Sequence, residues 1–133
     1  MERFHQRLIS AEKAVSSFGQ IAGLKEPSDI ERDAAIQRFE YSFEACWKTA
    51  KQYLYDIEGL DIGSPKGVIR GCRDVKLFND KETVTALNMV NDRNLTTHTY
   101  NESVAEKIYA DIETYYHLLK QWVERMKQKV NEN

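Results

Sequence analysis

The run Asn91-Asp92-Arg93-Asn94-Leu95-Thr96-Thr97-His98-Thr99-Tyr100-Asn101-Glu102 is the densest stretch of chemically capable side chains in this sequence. An Arg beside a His is a rational pair for cleaving RNA. The guanidinium can hold a phosphate bidentately while the imidazole moves a proton to or from a ribose oxygen. Tyr100 adds a phenol two residues beyond His98. A plainer reading stands beside this one: Arg93 pairs with Asp92 or Glu102, His98 caps a helix, and Tyr100 packs on the fold. On spacing alone the plainer reading is preferred, because one Arg and one His near each other are common.

Other groups carry weaker signals. Lys66, Arg70 and Arg73 fall at i, i+4 and i+7, a basic stripe that can track an RNA backbone, meet an acidic partner, or simply be a solvated face. Tyr41, Trp47, Tyr53 and Tyr55 suggest a base-stacking platform. Their neighbours Phe39, Phe43 and Cys46 step like interior positions, so several of the four must be core or dimer contacts. Glu40 and Glu44 stand one turn apart, but Lys48 follows Glu44 at i+4 and makes a surface charge pair the simpler use. His5 and His117 have no spaced partner. Cys46 and Cys72 lack any metal-binding spacing and read as reduced core thiols. No metal site or cofactor is expected.

These residues need elements to hold them. Phe4, Leu8, Ala11, Val15, Phe18 and Ala22 alternate steps of four and three, which predicts a helix ending near Gly23. A second helix opens at Pro27 and Ser28, buries Ile36, Phe39, Phe43, Cys46, Ala50, Tyr53 and Ile57, and stops at Gly59. The residues Leu60-Asp61-Ile62-Gly63-Ser64-Pro65 read as a loop leading into a short helix over 65–75. Val84, Leu87 and Val90 give a weaker stripe leading into 91–100. A final helix carries Val104, Ile108, Ile112, Tyr115, Leu119, Trp122 and Met126, widened by Tyr109, Tyr116 and Val123.

With no alternating strand pattern, the expected fold is all-α: an antiparallel up-and-down bundle of four long helices and one short one. One domain over 1–133 is expected, with a polar tail at 127–133 that frays.

The placement of the chemical run follows. An unbroken helix from Arg93 to His98 would put the two side chains about 140° apart. The adjacent β-branched Thr96 and Thr97 predict a break that lets them converge, with Arg93 ending one helix. Thr99 and Glu102 have capping-box spacing, so the last helix is expected to start just after Thr99. His98 would then lie near the positive end of that helix's dipole, which disfavours the protonated imidazole.

The 133 residues, 41% hydrophobic and 30% charged, suit one globular core, and the formal net charge of −2 argues against a large nonspecific nucleic-acid surface. No stretch is long and apolar enough for a membrane span or a signal peptide, so a cytoplasmic protein that makes no membrane contact is expected. The chain has no Gly-Ser motif followed by paired aspartates to hold metal ions, so nucleotidyl transfer would have to reside in another protein.

Arg93-x4-His98-x-Tyr100 resembles the signature of HepT-type toxins of the HEPN superfamily. The flanks agree: RFEYSFEACWKTAKQYL from Arg38, SPKGVIRGC from Ser64, and DRNLTTHTYNESVAEKIY from Asp92 resemble nucleotidyltransferase substrate-binding proteins. The resemblance implies an antiparallel bundle that forms a homodimer, joining two copies of the Arg/His segment in one cleft. It also implies a hetero-oligomer with a minimal nucleotidyltransferase. In the toxin branch the HEPN protein is a metal-independent ribonuclease, and its partner adds AMP to the signature tyrosine. Carried over, Arg93 and His98 are catalytic and Tyr100 is the modified residue. A non-catalytic subunit that presents a nucleotide or substrate to the transferase is the alternative, and a plain helical interaction module is a third.

Overall fold

A computed structural model describes residues 1–132, and every element among them is helical. The order is α1 (Glu2–Gly19), α2 (Asp29–Glu58), α3 (Pro65–Asp74), α4 (Asp80–His98), α5 (Glu102–Tyr109) and α6 (Ile112–Glu132). Local chemistry explains most boundaries. Ser28 caps α2 by accepting from the Glu31 amide while the Glu31 carboxylate takes the Ser28 amide, and Gly59 ends the helix with φ 70°. Ser64 caps α3 with Pro65 in its first turn. Asn79 and Glu82 close a second capping box on α4.

Chain direction follows from which ends meet. Arg7 reaches Lys48, Ser42 reaches Ala14, and Arg38 reaches Ser17, so α1 and α2 are antiparallel. Glu82 pairs with Arg125 and Asp92 with Tyr115, so α4 and α6 are antiparallel too. Phe39 stacks on Tyr115, while Tyr53 and Glu58 share a recess with Lys129 and Glu132, which makes α2 and α6 parallel. The four long helices therefore run up, down, up and down, as expected.

They enclose one contiguous core in which Phe4, Phe18, Phe39, Phe43 and Trp122 are fully buried. Cys46 and Cys72 are buried free thiols; burial raises both pKa values, that of Cys72 to about 12. Among the described residues no helix is long and apolar enough to cross a membrane.

Several expectations need correction. The first helix ends at Gly19, and Ala22 is buried from a turn beyond it. The final helix is two: α5 is separated from α6 at Ala110 and Asp111, where the Asp111 amide bonds the Ile108 carbonyl in a tightened turn. Apolar spacing did not show this, because Ile108 and Ile112 remain four apart and both stay buried. Val84 is exposed, and α4 buries Thr83, Ala86, Met89, Val90 and Asp92 instead. Two polar residues on that face explain its weak apolar stripe. Finally, α6 remains helical to Glu132 through the stretch expected to fray, with Val130 against the core and Lys127 paired to Glu12. Asn133 lies outside the described residues.

Candidate functional site

The chemical run spans the end of α4, a short extended link and the start of α5. The predicted break at Thr96–Thr97 is absent. Both hydroxyls donate back to the Arg93 carbonyl, Thr96 at 2.8 Å and Thr97 at 3.3 Å, so they occupy a helix acceptor without diverting the chain. The helix continues to His98, and Thr99 is its extended C-cap. The cap of the next helix is Asn101, whose side chain accepts from the Val104 amide, rather than Thr99. Glu102 lies near Arg32 instead, at 4.0 Å. His98 therefore sits at the carbonyl end of a helix, the opposite pole from the one expected.

Helix geometry now fixes the pair. Arg93 and His98 on one unbroken helix point about 140° apart. Arg93 is half-buried and turned toward α2, where its Nη2 donates to Glu44 Oε2 at 2.8 Å. That carboxylate also accepts from Trp47 Nε1 at 3.1 Å and pairs through Oε1 with Lys48 at 3.3 Å. Spacing had pointed to Asp92 or Glu102 as the partner of Arg93; the real one lies 49 residues away. His98 is exposed and outside the core. One protomer thus displays both groups at one end of the bundle without bringing them together.

Asp92, which sequence reasoning treated only as a surface partner, is 3% exposed. Its Oδ2 accepts from the Tyr115 hydroxyl at 2.6 Å and its Oδ1 from Lys107 at 2.7 Å. Burial and the Asp92 hydrogen bond hold the Tyr115 phenol firmly protonated. The residue before Arg93 therefore ties α4 to both α5 and α6. An acid on the buried face of α4, beside Met89 and Val90, was the only signal in the sequence.

Tyr100 lies just past α4, 47% exposed, and its hydroxyl donates to Asp33 Oδ1 at 2.5 Å. Desolvation, together with this bond and the Asp33 charge, pushes its pKa up to about 12. Arg32 stands beside it between Asp29, Asp33 and Glu102, with its Nε buried and unpartnered by any hydrogen bond. On α3, Arg70 and Arg73 are exposed and Lys66 is half-buried; Arg73 pairs with Asp74. Among the described residues no group of three or more His, Cys, Asp and Glu side chains is placed to hold a metal ion.

The family model described as nucleotidyltransferase substrate binding protein like matches residues 6–128. A Thermus thermophilus protein of known crystal structure is 52% identical, with a TM-score of 0.84 over 87% of this chain and 98% of that one. A tri-AMPylated Shewanella oneidensis HEPN toxin, solved in complex with its MNT antitoxin, is 15% identical with a TM-score of 0.75 over 94% and 96%. A Haemophilus influenzae protein described as having the fold of a substrate binding domain of a nucleotidyltransferase is 23% identical, with a TM-score of 0.64 over 95% and 98%. Both of these last likenesses are of fold: the bundle is folded like the Shewanella HEPN protein and like the Haemophilus domain. A search of curated proteins finds no match.

Proposed function

Because this chain belongs to the nucleotidyltransferase substrate binding protein like family, we propose that it is the ribonuclease toxin of a pair whose antitoxin is a minimal nucleotidyltransferase. The observation that carries the reading is the display at the end of α4. Arg93 is half-exposed on a carboxylate, His98 is free of the core, and Tyr100 is exposed immediately beyond. A scaffold has no use for these three groups at one edge.

The divergence of Arg93 and His98 within one helix calls for a second copy. In a two-fold pair the Arg93 of one protomer meets the His98 of its partner. Cleavage then proceeds by attack of a ribose 2′-oxygen on the adjacent phosphorus as the 5′-oxygen leaves. One imidazole takes the 2′ proton, the other protonates the leaving oxygen, and the guanidinium bears charge on the phosphoryl oxygens. Glu44 aims Arg93 until substrate phosphate competes for it.

Regulation follows from Tyr100. The Shewanella toxin is tri-AMPylated and bound to its antitoxin. Carried to this chain, AMP addition at Tyr100 places an anionic phosphodiester two residues from His98, where it competes for Arg93 and fills the cleft. Lys66, Arg70 and Arg73 on α3 are assigned to contact with RNA or with the transferase.

A second reading keeps the partner and drops the cleavage. In it the chain presents a nucleotide to the transferase, and the engagement of Arg93 by Glu44 is permanent. Incubation with the transferase, ATP and magnesium, followed by mass spectrometry and an RNA-cleavage assay, separates the two. The ribonuclease reading expects AMP on Tyr100, none on a Tyr100→Phe variant, and loss of cleavage only where AMP is attached. Full cleavage after stoichiometric modification overturns the inhibition, and no cleavage by unmodified dimeric protein favours the second reading.

A further inference from the structure

Among the described residues, the face shared by α1 and α2 carries three cations, Arg3, Arg7 and Lys51, that no carboxylate pairs. Along α2, Glu44, Lys48, Lys51 and Tyr55 lie within about 60° of one another over a rise of about 16 Å. Beside them α1 contributes Arg3 and Arg7, one turn apart. The Arg7 guanidinium donates to the Lys48 carbonyl at 3.1 Å, which joins the two rows.

Arg3, Arg7, Lys51 and Tyr55, with Gln52 and Asp61, line a recess of about 280 Å³. Among the described residues none of those three cations forms an ion pair. The nearby Asp56 is occupied by the Met1 amino group and Gln52. Three cations against Asp61 make a basic patch on a chain whose net charge is −2. Tyr55 is 59% exposed beside them, so its ring face is free to stack.

The patch also has a direction. From the recess it passes to Lys48, then to Glu44, which holds Lys48 on one oxygen and Arg93 on the other. A cationic line thus leads from the end of α4 down α2 to the start of α1. Recess and line together have the composition of a single-strand site, with charge for the backbone and an aromatic face for a base.

We propose that single-stranded RNA lies along this α1/α2 face, its phosphates following Arg93, Lys48, Arg7, Lys51 and Arg3 and one base stacked on Tyr55. That the polymer is a substrate rests on the ribonuclease reading; the binding chemistry does not. A mononucleotide would use the recess alone and leave the line to Arg93 without purpose.

The test is fluorescence anisotropy of a labelled oligouridylate of about ten nucleotides with the full chain in EDTA. A His98→Ala background keeps cleavage from obscuring binding. Replacing Arg3, Arg7 and Lys51 together by Gln is expected to weaken binding at least about tenfold at low salt. It should also flatten the slope of log affinity against log salt by about 2, at about 0.7 per lost phosphate contact. Tyr55→Ala is expected to weaken binding about tenfold and leave the slope alone. Lys81→Gln/Lys120→Gln/Lys129→Gln, the same charge change on other faces, should stay within about twofold.

Equal losses in the two triple variants, or none in the first, overturn the site. AMP binding as tightly as the oligomer, with the same sensitivity, overturns the track in favour of a mononucleotide pocket. Should the triple variant unfold, Arg3→Gln/Lys51→Gln, which leaves the Arg7 bond in place, makes the same test with two contacts. Binding as expected without cleavage by wild type removes the ribonuclease reading and leaves this site standing.

Discussion

Replacing Asp92 by Ala removes two charge-assisted hydrogen bonds whose values differ sharply. Lys107 is 61% exposed, so its ammonium regains water and its loss costs about 0.5–1 kcal/mol. The Tyr115 hydroxyl, buried between α4 and α6, is left without an acceptor, which costs about 1–3 kcal/mol. Asp92→Ala should therefore destabilise the fold by about 2–4 kcal/mol and lower Tm by on the order of 10 °C.

Urea denaturation followed by far-ultraviolet circular dichroism measures this, and Tyr115→Phe supplies the second edge of a cycle. With the hydroxyl already gone, Asp92→Ala should do less damage, giving a coupling of about 1–2 kcal/mol. Arg93 follows Asp92 directly, so cleavage should fall in the variant even where it remains folded. A destabilisation below about 0.5 kcal/mol, or strictly additive effects, would refute the assignment of Asp92 as the tie between α4 and α6.

Three further expectations follow from particular contacts. Arg125 holds the Glu82 carboxyl below its usual value of 4.5, chiefly by hydrogen bonding, so its stabilisation is complete above that pH and is lost as pH falls through the lowered value; acid denaturation of Glu82→Gln should show a shallower slope there. A methyl group at Gly19 would stand 2.7 Å from the Tyr116 hydroxyl oxygen, so Gly19→Ala should destabilise by about 1–3 kcal/mol through displacement of that ring from Phe18, read by thermal melts. Spectrophotometric titration should show two tyrosines ionising near 12, Tyr53 and Tyr100, with one of them lost in Tyr100→Phe and one shifted toward 10 in Asp33→Asn. Because the folded chain keeps the Tyr100 proton where the unfolded chain releases it, this contact's contribution to stability declines as pH rises above 10.

The legible parts of the sequence were those governed by neighbours in the chain. Ser28 and Gly59 were read as the ends of α2, and they are, because a cap and a left-handed stop act within a few residues. The end of α4 was misread because threonine hydroxyls have two local uses, diverting a helix or bonding back into it, and spacing does not choose between them. Arg93, His98 and Tyr100 were singled out as candidates by type and by resemblance. Their surroundings were not, because Glu44, Asp33 and Tyr115 reach this segment from other helices. Glu44 had been read as the partner of Lys48, and it is; its second oxygen, which serves Arg93, carries no local signal.

The most direct test of the central claim is subunit mixing. Arg93→Ala and His98→Ala proteins are each assayed on an RNA pool in EDTA, then mixed, allowed to exchange subunits and assayed again. Each variant alone should fall at least about 100-fold below wild type, the loss of one acid-base or phosphate-holding group. The mixture should rise clearly above both variants while staying below wild type, because a mixed dimer places one intact Arg93 opposite one intact His98 and leaves solvent to serve in place of the second imidazole. Continued inactivity in a mixture shown to contain mixed dimers, beside an active wild type, would contradict a site built from two copies.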